Sequence, residues 1–353
     1  MVKRGFFVMH KLVTFLVLLA VVSGCTPPPP SVPAPLPPPP PLPSSVVEPP
    51  PPPPAPGPTP ESAAATIRIA TFNIRQFGVT KRNKPEVMAI LVEIVRRYDV
   101  VAIQEIKDAS GETPGAFLNA INALDGPDYA VVASPRTGAT ASSSAKEQYA
   151  YYVNTATVEV LDDGALFPDP SDAFVREPWA ARFRATRGNF SFVLLDIHTQ
   201  PTAAVAEVGA LHDAVLWART RYDDEDDFIA LGDYNASCSY ASPAQLDDLA
   251  FRGASYTWIV PDDADTNLAA SACAYDRIVS TDAANGDYTG RWGVDRAFSD
   301  TAVSDHWPVW AEFYADRDGR SCCKTCTAGK ACGDTCIAAS ATCTAAPGCV
   351  CDE

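Results

Sequence analysis

The sequence predicts an α+β protein in which two β-sheets pack on each other and carry helices on their outer faces. Three observations lead there. Residues 66–315 hold many short apolar strand signals, only a few segments between them have helical periodicity, and 47% of the 353 residues are hydrophobic, enough for a sizeable core. Many strands with few intervening helices are best covered as packed sheets flanked by helices.

The elements follow in order. TIRIATF at 66–72 alternates and leads into Asn73. A helix comes next, with Pro85 in its first turn and Val87, Ile90, Leu91, Ile94 and Val95 along one face. VVAIQ then runs directly into Glu105. QYAYYV and FSFVLLDI read as strands, the second reaching His198. A second amphipathic helix sets Val205, Val208, Leu211 and Val215 on its apolar side, with His212 as an ordinary half-buried helix residue. FIALG reaches Asp233, YDRIVS starts at Tyr275, and SDHWPVWAEFY closes the body. No internal repeat is present.

The ends of the chain differ in composition. Lys3 and Arg4 precede the apolar run LVTFLVLLAVV, and small residues lead to Cys25. A charged start and a short apolar run describe a secretory signal, and Cys25 directly after Ser23 and Gly24 resembles a bacterial lipoprotein cleavage box. A plain signal with an incidental cysteine is the alternative. Residues 1–24 are therefore expected to be a lipoprotein signal peptide. Residues 25–65 are expected to be a lipidated cysteine with a proline-rich linker, which as extended polyproline helix would reach on the order of 100 Å. Residues 320–353 form a Cys-rich module. Eight of the eleven cysteines fall there, and Cys238 and Cys273 are the only two in the body. An exported chain favours disulfides over a zinc site for these cysteines. The expected location is the cell envelope or surface, anchored to the membrane through a lipid on Cys25.

A formal charge of −16 excludes a protein that grips polyanions by bulk attraction. If the substrate is a phosphate ester, bound cations must mediate the contact. Asn73, Glu105, His198, Asp233 and Asn235 stand at the C-terminal ends of apolar strands, while Asp276, Asp305 and His306 sit near turns or strand starts. Each alone is an ordinary turn or cap residue. Strands ending together at one sheet edge would instead gather them in one cleft. A hard divalent cation takes oxygen ligands, which Glu105, Asp305, Asn73 and Asp233 can supply. Two histidines, each oriented by a carboxylate, can move the protons of a hydrolysis near neutral pH. The set suits metal-assisted phosphodiester hydrolysis.

The segments IRIATFNIRQFG, IVRRYDVVAIQEIKD, KEQY, FVREPWAARF, GDYNASCSY, PDDADT, CAYDRIV and SDHWPV resemble the deoxyribonuclease I type of the endonuclease/exonuclease/phosphatase superfamily, in order and over about residues 66–314. The resemblance implies a four-layer α/β/β/α sandwich as the catalytic domain and Mg²⁺-dependent (or Mn²⁺-dependent) cleavage of double-stranded DNA by a monomer. It also implies that Glu105 is the main metal ligand, completed by Asn73, Asp233 and Asp305. His198 would pair with Glu147 and His306 with Asp276, and Asn235 would hold the phosphate. Arg75, Arg176 and Lys107, the last in place of an arginine, would meet DNA, and Cys238 would pair with Cys273. Of two calcium sites in the family, the resemblance implies that one would be carried by Asp163, Asp172 and Glu177, structural or activating in role. The other keeps Asp265 but meets Asn267 and Ala269.

Departures accompany the match. Ala145 stands where the family places an aromatic against the minor groove, which offers no stacking face, and Lys107 lacks the planar fork of arginine. Weaker or differently biased groove binding is expected. Ala165 and Phe167 replace a small family disulfide. The alternatives are a phosphatase or sphingomyelinase-like phosphodiesterase of the same superfamily, and a catalytically inactive surface-binding protein. Glu147 and Arg176 favour DNA over the first. The complete catalytic set argues against the second.

Overall fold

The computed structural model describes residues 65–138 and 146–315, and in the tail 324–326, 329–332, 335–338, 341–343 and 350–352. The signal peptide, Cys25, the proline-rich linker and Ala145 lie outside the described residues. Along the chain come β1 (Thr66–Phe77), a one-turn α1 (Val79–Arg82), α2 (Pro85–Val95), β2 (Val100–Ile106), α3 (Thr113–Asn122), β3 (Tyr129–Ala133) and β4 (Gln148–Asn154). Next are β5 (Val158–Val160), β6 (Ala165–Leu166), β7 (Trp179–Ala185), β8 (Ser191–His198), α4 (Ala204–Arg221) and β9 (Phe228–Asp233). The body closes with α5 (Pro243–Asp247), β10 (Tyr256–Trp258), β11 (Asp276–Thr281), α6 (Asp282–Asp287), β12 (Tyr288–Val294) and β13 (Val309–Tyr314).

One sheet runs β12-β13-β1-β2-β4-β3 and the other β10-β11-β9-β8-β7-β5, with β6 also on β7. Both are mixed. Each contains one parallel pair, β1 with β2 and β8 with β9, and every other described pairing within them is antiparallel.

Strand alternation produces three apolar layers. Ile67 and Ile69 of β1 meet Leu194, Ile229 and Ile278 of the second sheet in the inter-sheet core. Ala70, Phe72 and Ile74, on the opposite face, pack with Val87, Leu91, Ile94 and Val95 of α2. Val208, Leu211 and Val215 of α4 cover the outer face of the second sheet. The predicted sandwich is thus present. Phe167, where the small family disulfide is absent, is buried edge-on against Phe174 and Trp217.

Two details depart from the strand limits expected from sequence. β1 continues past Asn73 to Phe77, and β2 past Glu105 to Ile106, through matched register shifts between Asn73 and Phe77 and between Ile103 and Ile106. Bulges of this kind re-aim side chains without ending the strand. Arg75, Gln76 and Glu105 accordingly adopt φ of 32°, 54° and 61°. α3, with Phe117 and Ile121 buried, and the strands β3 and β7 complete the two layers.

The Cys238–Cys273 disulfide is formed. In the tail, β14 (Lys324–Cys326) pairs with β17 (Val350–Asp352), and β15 (Lys330–Cys332) with β16 (Thr335–Ile337). Disulfides join Cys326 to Cys336 and Cys332 to Cys343.

The inter-sheet core yields a stability prediction. Phe183 is fully buried, edge-on to Tyr151 at 5.1 Å and stacked on Phe192 at 5.7 Å. Phe183→Ala is expected to cost about 3–5 kcal/mol through lost burial and the residual cavity. Urea unfolding should show a lower midpoint with unchanged slope.

Candidate active site

The mixed topology decides where functional groups can meet. Parallel β1, β2, β8 and β9 end on one edge of the sandwich, and their antiparallel neighbours β4, β11 and β13 begin there. Residues closing the first set (Asn73, Glu105, His198, Asp233) therefore face residues opening or preceding the second (Glu147, Asp276, His306). Asp233 lies directly across from both His198 and Asp276 in the ladder. Gly232 is required for this: at φ 142°, a Cβ there would fall 1.9 Å from the Ile197 carbonyl oxygen of β8.

Asp233 is the centre of the cleft and is buried. Asn73 Nδ2 donates to its Oδ2 at 3.0 Å, and the Asn235 backbone N–H to its Oδ1 at 2.9 Å. His198 Nε2 and His306 Nε2 approach the same Oδ2 at 3.5 and 3.7 Å. Both imidazoles thus present Nε2 to one point and use Nδ1 for orientation. His198 Nδ1 meets Glu147 at 2.8 Å, and His306 Nδ1 meets Asp276 at 2.8 Å.

Each orienting carboxylate is itself held. Thr266 donates to Asp276 at 2.7 Å. The Cys238–Cys273 disulfide staples the loop between Thr266 and Asp276 to the segment after Asn235. Tyr149 accepts the His198 backbone N–H at 3.1 Å. Neither Thr266 nor Tyr149 was singled out from sequence, although both lie inside segments that carried the resemblance.

Charge follows this geometry. Burial would raise the Glu147 carboxyl, but His198, Arg176 and Lys107 outweigh it and bring it to about 2. Burial would likewise raise Asp233, and the two imidazoles hold it low instead. Burial pushes Asp276 up, since one imidazole does not offset complete desolvation beside Asp233. His198 and His306 both hold protons more tightly than usual, because the acids around them overcome burial.

The donor chemistry suits a hard divalent cation, since the carboxylates of Glu105, Asp233 and Asp305 and the Asn73 amide offer oxygen atoms, but the tightest cluster is a different one. Ligand-capable atoms of Asp233, Asp276 and His306 lie within 4.8 Å of one another, and Asp276 Oδ1 is buried with no hydrogen-bond partner. Glu105 and Asp305 do not join a cluster that tight among the described residues. Each is drawn aside by its own donors: Gln76 N–H at 2.8 Å and Lys107 at 3.3 Å for Glu105, Arg75 at 3.4 Å for Asp305. Asn73 Nδ2, 3.4 Å from Glu105, links that carboxylate to Asp233.

The other expected positions have partners within the protein. Arg176 is buried, with Nε and Nη2 donating to the carbonyls of His198 and Thr199 at 2.7 and 2.9 Å and Nη1 3.6 Å from Glu147. It fixes the His198 backbone rather than standing open to a ligand. Lys107 is shared between Glu105 and Glu147, at 3.3 and 3.4 Å. Arg75 alone of the three is about half exposed. Asn235 donates to the Thr199 carbonyl at 3.1 Å.

Among the residues expected to hold calcium, Glu177 and Asp265 have partners of their own. Asp163, Asp172 and Glu177 are not brought within 4.8 Å of one another. Glu177 is instead taken by the Thr137 hydroxyl and the Gly138 N–H. Asp265 carries the Arg296 guanidinium at 3.0 Å, and Asn267 Oδ1 accepts the Ala269 N–H.

The body of the chain is similar to known proteins. A model of the endonuclease/exonuclease/phosphatase family matches residues 70–309. Deoxyribonuclease-1 of Rattus norvegicus is 35% identical over 264 residues, covering 70% of this chain and 91% of that protein. Deoxyribonuclease-1 of Bos taurus is 34% identical over 261 residues, covering 69% and 91%. An endonuclease/exonuclease/phosphatase from Bacteroides vulgatus has the same fold, with TM-score 0.52 and 15% identity over 70% of this chain and 98% of that one.

The depressed Glu147 predicts an acid limb in stability. Its folded pKa lies below its ordinary 4.5, so its contribution is complete above that value and is lost as pH falls from about 4.5 towards about 2. Thermal unfolding across that range should show a shallower decline for Glu147→Gln than for the wild type.

Proposed function

The chain belongs to the endonuclease/exonuclease/phosphatase family, and from that premise we propose that it is an exported, divalent-cation-dependent endonuclease acting on double-stranded DNA. The carrying observation is the pair of imidazoles whose Nε2 atoms converge on Asp233 Oδ2, each oriented through Nδ1 by its own buried carboxylate. A binding protein would need neither the convergence nor the buried acids that enforce it.

Glu105, Asn73, Asp233 and Asp305 would hold Mg²⁺ or Mn²⁺, which when bound supplies charge neutralisation at the phosphoryl oxygens. The chain's own residues do the rest. Glu147 and Asp276 fix the imidazoles with Nε2 towards the cleft, so one ring can take a proton from the attacking water and the other can give one to the leaving oxygen. Asn235 has one amide hydrogen on Thr199 and a second to offer a phosphate oxygen. Half-exposed Arg75 can meet the neighbouring phosphate, and its guanidinium suits that contact. Arg176 and Tyr149 keep the His198 backbone in place. Export and tethering through Cys25 and the proline-rich linker would put this activity on DNA outside the cytoplasm.

Full-length chain extracted in detergent from an exporting bacterial host should nick supercoiled plasmid with Mg²⁺ and stop in EDTA. His198→Ala is expected to lower the rate by about 10²–10⁴-fold, the usual range for a lost acid or base, and Glu105→Ala should abolish cation-dependent nicking. Intact plasmid with folded wild type, together with hydrolysis of sphingomyelin or a phosphate monoester, would overturn the DNA reading.

A further inference from the structure

The β1–β13 ladder ends at the pair Thr71 and Val309. Beyond it the two neighbouring strands still deliver residues to the site side by side: Asn73 and Arg75 from one, Asp305 and His306 from the segment entering the other. Side chains bridge this gap in place of backbone pairs. Ser304 Oγ donates to the Asn73 carbonyl at 2.6 Å. Lys81 Nζ donates to the Ile74 carbonyl at 2.9 Å and to the Val303 carbonyl at 2.8 Å. Ile74 and Val303 are fully buried, and Lys81 is only 9% exposed.

The local sequence explains how a lysine arrives there. α1 is one turn long and is preceded by Gly78, where a Cβ would lie 2.6 Å from the Lys107 carbonyl oxygen. Glycine lets the turn sit tightly on the end of β2. From it Arg82 reaches out to Asp108 and Glu112, at 3.6 and 2.6 Å, while Lys81 turns inward. An ammonium in such a place is expensive. Burial lowers Lys81 to about 8, against the pull of Asp305 and Glu105. Sealing two carbonyls does not by itself call for a charge, since a hydroxyl or a buried water could do it.

We propose that Lys81 is a positioning residue whose ammonium sets the separation of the Asn73 and Asp305 segments, and thereby the affinity of the cleft for its divalent cation. This rests on the cation-dependent reading above. It also makes a claim about sign. By charge alone, deleting an ammonium near Glu105 and Asp305 would tighten cation binding. By positioning, the same deletion loosens the two segments and weakens it.

The experiment is Mn²⁺ binding to the full-length protein, followed by electron paramagnetic resonance without DNA, on wild type, Lys81→Met and Lys81→Arg. Thermal unfolding is measured alongside. Tyr129→Phe serves as a control, because it removes a buried hydrogen bond to the Tyr98 carbonyl (2.8 Å) away from the cleft. Lys81→Met is expected to raise the Mn²⁺ Kd by about 10–100-fold, the range usual for groups that orient metal ligands. The control should lose stability with Kd unchanged. Lys81→Arg, which keeps the charge but alters the reach, should weaken binding in the same direction and carries the test if the methionine variant does not fold. Unchanged or tighter binding in folded Lys81 variants would overturn the proposal. A wild type that binds no Mn²⁺ and leaves plasmid intact would instead bring down the cation-dependent reading, and this inference with it.

Discussion

The buried carboxylate of Asp233 is the interaction on which the rest of the structure depends. A carboxylate without water around it must be met by donors or lose its charge. Here Asn73, the Asn235 backbone and two imidazoles supply them, from four separate chain segments. Each donor is fixed in turn. Glu147 and Asp276 hold the rings, Thr266 holds Asp276, and Arg176 and Tyr149 hold the strand bearing His198. The network runs outward from one acid until it reaches backbone carbonyls of regular strands.

Two features of the fold make such a network affordable in backbone terms. Parallel pairs at the centre of both sheets bring four strand ends to one edge, and antiparallel neighbours start where they stop. Bulges in β1 and β2 then turn Asn73 and Glu105 into the cleft without breaking the sheet. The cost appears as left-handed backbone at Arg75, Gln76, Glu105 and Asn235. Such conformations persist where surrounding contacts over-determine them, as the bonds from Gln76 to Glu105 and from Asn235 to Asp233 do.

The placement of cations follows from the same economy. In a chain of formal charge −16, basic side chains near the cleft are spent on its acids. Arg176 and Lys107 both lean on Glu147, while Lys81 is taken by the carbonyls of Ile74 and Val303. Arg75, about half exposed, is itself paired with Asp305 at 3.4 Å. On the proposed reading, a polyanion at this edge would meet an acidic site bridged by a bound cation.

By itself the sequence determined the layers and marked the residues on which a chemistry could be proposed. Period-two and period-3.6 apolar patterns place β1, α2, β2, β8, α4 and β9, and polar residues closing greasy strands mark Asn73, Glu105, His198 and Asp233. Those signals are local, so one chain suffices to see them. The pairing of His198 with Glu147 and of His306 with Asp276 came from resemblance, since partners 51 and 30 residues apart leave no local pattern. Only the tertiary structure decided the strand continuations past Asn73 and Glu105, the inward turn of Arg176, the bonds of Glu177 to Thr137 and Gly138, and the burial of Lys81. The physical reason is common to all of these. Whether a charged side chain faces water or a carbonyl is settled by which distant backbone groups lack a partner, and that becomes known only once two sheets have been laid together.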